Sequence, residues 1–224
     1  MTALARVRNV VFLICWSCLL LSASPANAAP GVLKLENIGA CNESSVPDSV
    51  RRELAQNGYR ITLEGGSTVE VWPRSKIAAD PKVRDDQTYT LAPSTFVGVI
   101  HFSTSTRDYR GNAIPGGFYN LRYALQPADG DHLGTSPTPD FVLLIPPAAD
   151  PEPDKAYRFD QLVELSRKVT GKRHPGPLNL APPDTKEFPS VKTDSDDHTI
   201  LFFKTKTESG ELPVALVIKG TTTS

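Results

Sequence analysis

The chain has 224 residues, 39% of them apolar and 22% charged, with 20 Pro, 15 Gly, 3 Cys and a formal net charge of −1. That composition is too apolar for a disordered polymer and too poor in Cys for a disulfide scaffold, and it shows no collagen-like glycine period. What remains is a globular domain of ordinary size, and the near-neutral charge excludes nucleic acid as the expected partner.

Arg6 and Arg8 precede an apolar run over residues 10–21, which gives way to the small, turn-prone stretch Ser22-Ala-Ser-Pro-Ala-Asn-Ala28. A basic start, a short apolar stretch and the Ala26-Asn27-Ala28 site predict a secretory signal peptide over residues 1–28. About 12 apolar residues fall short of the roughly 20 that span a bilayer, so the mature chain is expected to carry no transmembrane segment. Its expected location is periplasmic or extracellular. Cys15 and Cys18 lie too early in the apolar run for a lipoprotein site. Losing Arg6 and Arg8 leaves 22 Lys and Arg against 25 Asp and Glu, a slightly acidic surface. The basic stretches Arg51-Arg52 and Gly171-Lys-Arg-His174 are too short to form a patch. Cys41 is then the lone Cys and is expected to be a partly buried small residue.

In the mature chain, residues 31–38 alternate as a first strand. A helix is predicted over 45–58, with Ser45 as cap, Pro47 in the first turn, Asn57-Gly58 as stop, and Val46, Val50 and Leu54 as an apolar stripe. The period then switches to two. Residues 59–63 and 68–72 form a hairpin around Glu64-Gly-Gly-Ser67. A loop from 74 to 87 leads to strands at 89–91 and 96–102, and His101 is expected to share a face with Val97 and Val99 as a satisfied sheet histidine.

Past the Ile114-Pro-Gly-Gly117 turn, residues 118–125 place Tyr119, Leu121, Tyr123 and Leu125 on a core face and turn Asn120 and Arg122 to solvent. Residues 141–145 are apolar on both faces and should be central. The run Pro146-Pro-Ala-Ala-Asp-Pro-Glu-Pro153 cannot join a sheet interior, because each Pro removes a ladder donor. A helix over 159–170 follows, stopped by Gly171, and the chain closes on an apolar hairpin of 199–205 and 214–218. Many short antiparallel strands, Pro/Gly-rich turns and two short helices predict a mostly β fold: an antiparallel β-sandwich, immunoglobulin- or transthyretin-like in general architecture, with a partly open barrel as the alternative. Residues 29–224 would form one domain, with 146–197 as a Pro-rich, partly helical surface excursion.

The block Asp108-Tyr-Arg-Gly111, Pro115-Gly-Gly-Phe-Tyr-Asn-Leu-Arg-Tyr123, Asp129-Gly-Asp-His-Leu-Gly134 and Asp140-Phe-Val-Leu-Leu-Ile145 resembles a group of secreted bacterial proteins of unknown function. The resemblance covers roughly residues 46–175 and implies no chemistry.

No nucleophile elbow, zinc-protease helix, Cys/His signature or phosphate-cradling loop is present in the sequence. The expected role is a binding or accessory module of the cell envelope, with an envelope protein or a glycan as partner. Trp72 and Tyr109 are the surface aromatics such a partner would stack on, with His132 nearby in function. The alternative is a metal-assisted hydrolase using Asp129, Asp131 and His132 in the long loop 126–140, where Ca²⁺ or Zn²⁺ would sit. That shell is incomplete, because Leu133 stands where an EF-hand places a third acid or amide, so no cofactor is expected. Asp194-Ser-Asp-Asp-His198 is a second acidic cluster, read as a solvated turn.

Overall fold

The computed structural model describes residues 33–80, 85–127, 136 and 138–221. In chain order its elements are β1 (Lys34–Ile38), α1 (Asp48–Arg51), β2 (Gly58–Thr62), β3 (Thr68–Pro73), β4 (Phe96–Phe102), β5 (Thr106–Arg107) and β6 (Ala113–Ile114). These are followed by β7 (Gly117–Leu125), β8 (Asp140–Ile145), a 3₁₀ turn at Pro147–Ala149, α2 (Phe159–Thr170), β9 (Pro177–Ala181), β10 (Ser190–Thr193), β11 (Thr199–Lys206) and β12 (Glu211–Lys219). Among the described residues no helix is long and apolar enough to cross a membrane.

Ten strands join one antiparallel sheet in the order β1-β2-β3-β4-β7-β8-β9-β12-β11-β10, and β5 and β6 pair as a separate ribbon. The bend in the sheet comes from β9. Its first half pairs with β8, Pro177 opposite Leu143 and Asn179 opposite Phe141, and its last residues pair with β12, Ala181 opposite Ala215. Because one strand serves both halves, the sheet turns a corner there and its edge strands β1 and β10 return to each other's side. The mostly β, antiparallel expectation with two helices holds, but the strands form one curled, nearly barrel-shaped sheet in place of two separate layers.

Inward-facing residues fill this barrel, among them Ile61, Val71, Ile100, Leu121, Tyr123, Val142, Leu178, Leu201 and Leu216. The β4–β7 register shifts between Phe96 and Gly98, so Val97 and Ile100 both face inward while Phe96 and Val99 face outward. His101 therefore shares the outer face with Val99 and not with Val97. Its Nδ1 lies 3.0 Å from Glu70 Oε2, and its ring stacks on Phe118 at 4.0 Å.

Three smaller clusters cover the outside of the barrel. The first helix is shorter than its sequence signals, and Pro47 rather than Ser45 stands at its cap. The stripe survives: Val46, Val50 and Leu54 are buried against Trp72, Phe96 and Val99. α2 matches its expected limits, ends on Gly171 at φ 62°, and buries Leu162 against Phe141, Leu143 and Ile145. A third cluster lies over β11 and β12.

Residues 89–91, expected as a strand, form a loop that plugs one end of the barrel. Tyr89 Oη donates to Ala181 O at 2.5 Å and accepts from Ala215 N at 2.9 Å, pinning the point where β9 meets β12. The buried Asp140 carboxylate holds the same loop, accepting from Thr88 N, Tyr89 N and Tyr123 Oη. Residues 146–197 are not a surface excursion, since they supply β9 at the centre of the sheet and β10 at its edge.

Candidate functional site

The largest correction lies on the outer face of β7. Asn120 and Arg122, expected in solvent, are both fully buried beneath the Pro-rich segment. Arg122 Nε and Nη2 grip Asp150 Oδ2 and Oδ1 at 2.8 and 2.7 Å, and its remaining N–H groups donate to the carbonyls of Ser94, Glu152, Pro153 and Lys155. Asn120 Nδ2 donates to Asp150 O and Oδ2, and Tyr157 Oη donates to Asp150 Oδ1 at 3.1 Å. The guanidinium also lies over the rings of Phe96 and Tyr157. Burial and the Asp150 carboxylate push the Tyr157 phenol up to about 12. Apart from the bond to Ser94 O, the donors of Arg122 go to segment 146–157, and together with Asn120 and Tyr157 they hold that segment against the barrel, so this constellation fixes structure.

Trp72 and Tyr109, singled out in the sequence, do not converge. Trp72 is only 5% exposed. Its Nε1 donates to Gly39 O at 2.9 Å and its ring stacks on Phe118 under α1, so it offers no surface platform. Gly58 makes room for it, since a Cβ there would lie 2.5 Å from the indole. Tyr109 is half-buried in the cluster over β11 and β12, stacked on His198 with ring centroids 4.2 Å apart. Trp72 and Tyr109 thus belong to different clusters. Asp129, Asp131 and His132 lie outside the described residues.

Asp194, Asp196 and His198 bring ligand-type atoms within 4.8 Å of one another. The turn between β10 and β11 already uses the Asp194 carboxylate and His198 Nδ1. Asp194 Oδ1 accepts from the backbone N–H groups of Asp196 and His198, and Oδ2 lies 3.0 Å from His198 Nδ1. Burial alone would raise the Asp194 carboxyl, but the His198 N–H, the His198 ring and the Asp196 N–H outweigh it and hold the group below its ordinary value. Tyr109 is half-buried against this turn, and partial burial together with the charges of Asp194 and Asp196 pushes its phenol up.

A different place carries open chemistry. Between α2 and the β8–β9 ladder lies a cavity of about 370 Å³, a size typical of small-molecule sites. β8 supplies Phe141 and Leu143, β9 supplies Pro177 and Asn179, and α2 supplies Phe159, Val163 and Arg167 at successive spacings of four. That row runs beside the buried row Leu162, Ser166 and Val169, which binds the helix to the sheet. Phe159, 42% exposed, is the one exposed large hydrophobic side chain among the described residues.

The rim is cationic. Arg110, Arg167, Arg173 and His174 line it, brought together by folding from two distant parts of the chain. Arg110 is presented by a rigid turn at the end of the β5–β6 ribbon. The buried Asp108 carboxylate accepts from the N–H groups of Arg110 and Asn112 and from Asn112 Nδ2, and Gly111 adopts φ 81°. The next residue in each direction is tied down as well: Arg107 Nη1 donates to Gly111 O, and Tyr109 is clamped on His198. Arg173 follows the left-handed Gly171, in a loop held by Arg167 Nε on Arg173 O and by Thr170 Oγ1 on His174 O. Arg167 is partnered by Glu164. The guanidinium groups of Arg110 and Arg173 have no partner among the described residues. Among the described residues the one acidic side chain in the lining, Asp108, is consumed by its own turn. An apolar pocket with two cations at its mouth that are unpaired among the described residues is suited to binding.

Sequence reasoning missed this site because the basic stretch 171–174 is short and Arg110 looks like an ordinary loop residue. The one signal available was on α2, where Phe159, Val163 and Arg167 make a second row beside the row the sheet covers. No protein-family model, curated protein or solved structure matches the chain.

Proposed function

We propose that the protein is an exported binding module of the cell envelope and that its ligand seat is the cavity between α2 and the β8–β9 ladder. The basic, apolar and small-residue pattern of residues 1–28 supports export, and mass spectrometry of the exported chain should find Ala29 as its first residue. The observation that carries the binding reading is the preformed cavity itself. Its walls are apolar, its rim is polar, and a helix and two sheet strands supply its apolar walls. An aromatic platform loses its support with Trp72 buried.

The test uses N-phenyl-1-naphthylamine, an uncharged apolar dye whose fluorescence rises on leaving water. The wild-type protein should enhance it saturably. Val163→Trp, which fills the cavity from the rim side of α2 without touching the buried row, should abolish the enhancement while leaving far-UV circular dichroism unchanged. Equal enhancement by both proteins would overturn the reading.

A further inference from the structure

We infer that the cavity takes an amphipathic anion, an unbranched or aromatic apolar body carrying a single carboxylate, with the body against Phe141, Leu143 and Val163 and the carboxylate at Arg110 and Arg173. This rests on the binding reading above and adds the chemical class of the ligand. Charge complementarity carries it. The chain as a whole is slightly acidic, with Lys and Arg numbering 24 against 25 Asp and Glu, yet the rim of this one cavity gathers three Arg and a His. Among the described residues, Glu164 is engaged with Arg167 and Asp108 is buried in its own turn. Arg110 and Arg173 therefore line the opening as planar donors with no countercharge among the described residues, the geometry that suits a carboxylate.

The apolar part follows from Phe159, an exposed ring at the mouth of an apolar cavity, where a ligand chain would bury it. A cationic amphiphile would meet the rim with like charge. A polyanion such as nucleic acid would find no extended basic track, because the cations are confined to one opening.

The test measures displacement of N-phenyl-1-naphthylamine by three ligands with the same tail: dodecanoate, dodecanol and dodecyltrimethylammonium. A charge-assisted hydrogen bond is about twice as strong as a neutral one, so dodecanoate should bind about tenfold more tightly than dodecyltrimethylammonium at low salt. That ratio should shrink as salt is raised, because the carboxylate sits at an open rim. In Arg110→Gln and in Arg173→Gln, both exposed positions, the ratio should fall towards one. Equal affinity for all three ligands in the wild type would overturn the anion inference while leaving the cavity reading standing. Failure of the dye itself to bind would overturn both. A concentration-dependent dimer in sedimentation, dissolved by Phe159→Ser, would show that the surface serves a second copy of the chain and would also overturn the inference.

Discussion

Arg122 shows how far one side chain can depart from its place in a pattern. Alternation along β7 puts Tyr119, Leu121 and Tyr123 in the barrel, as expected, and puts Asn120 and Arg122 on the other face. The second face is no less buried than the first, because Asp150 brings a countercharge onto it and a ring of carbonyls satisfies the rest of the guanidinium. The consequence for stability differs from what the pattern alone suggests. Leu121→Ala should cost about 2 to 5 kcal/mol as a core truncation. Arg122→Met should cost about 3 to 5 kcal/mol, because it leaves the buried Asp150 carboxylate without its countercharge. Asn120→Ala should cost about 1 to 3 kcal/mol through the donors it removes from Asp150. Urea denaturation measures all three. A neutral Asn120→Ala would mean that segment 146–157 does not cover this face in solution.

Short elements are set by the bonds at their ends, and the Asp194–His198 turn is the clearest case. One carboxylate closes the connection between β10 and β11 and supports His198, on which Tyr109 and the Arg110 turn rest. Because folding lowers the Asp194 carboxyl below its unfolded value, its contribution is fully present above the ordinary carboxylate range, near pH 4, and is lost as pH falls through the folded value. The wild-type melting temperature should therefore fall more steeply on acidification below about pH 4 than that of Asp194→Asn, whose curve lacks this titration. Parallel curves for the two proteins would remove Asp194 as a stabilising charge. α2 shows the complementary lesson. Its length follows from its own punctuation, with Gln161 Oε1 accepting from Arg158 N at the start and Gly171 in the left-handed region at the end, and so it is where the sequence places it.

At the scale of the whole molecule, closure depends on two irregularities. One is β9, which changes partner midway. The other is the bulge at Gly98, which reverses the facing of β4 partway along and lets Val97 and Ile100 both reach the interior. At Gly98 the backbone has φ 155°, and a Cβ there would sit 2.4 Å from the Trp72 carbonyl oxygen, an atom of the neighbouring strand that cannot swing aside. Gly98→Ala should accordingly destabilise by about 1 to 3 kcal/mol, the range for forced overpacking, where an exposed strand glycine would gain from the same change. Stabilisation of the variant in a thermal melt would contradict the bulge.

The sequence by itself determined the mostly β class of the fold and the strands β1–β4, β7, β8, β11 and β12, but not β5, β6, β9 or β10, because period-two alternation and glycine-bearing turns are local and a longer strand carries its own record of an apolar face. Residues 68–72, 118–125 and 214–218 are legible in that way, and so is α2 with its Gly171 stop. Alternation does not record what lies over the other face, so the burial of Arg122 and of Trp72 had to wait for the segments that fold onto them. It does not record strand order either, and β9, short and opened by Pro177, gave no local sign that it stands between β8 and β12. The cavity is a tertiary product in the strictest sense. Its floor belongs to β8 and β9, one wall to α2 and its outermost cation to the β5–β6 ribbon. Arg110 and Arg173 become neighbours of one opening only because the barrel closes and carries those elements together.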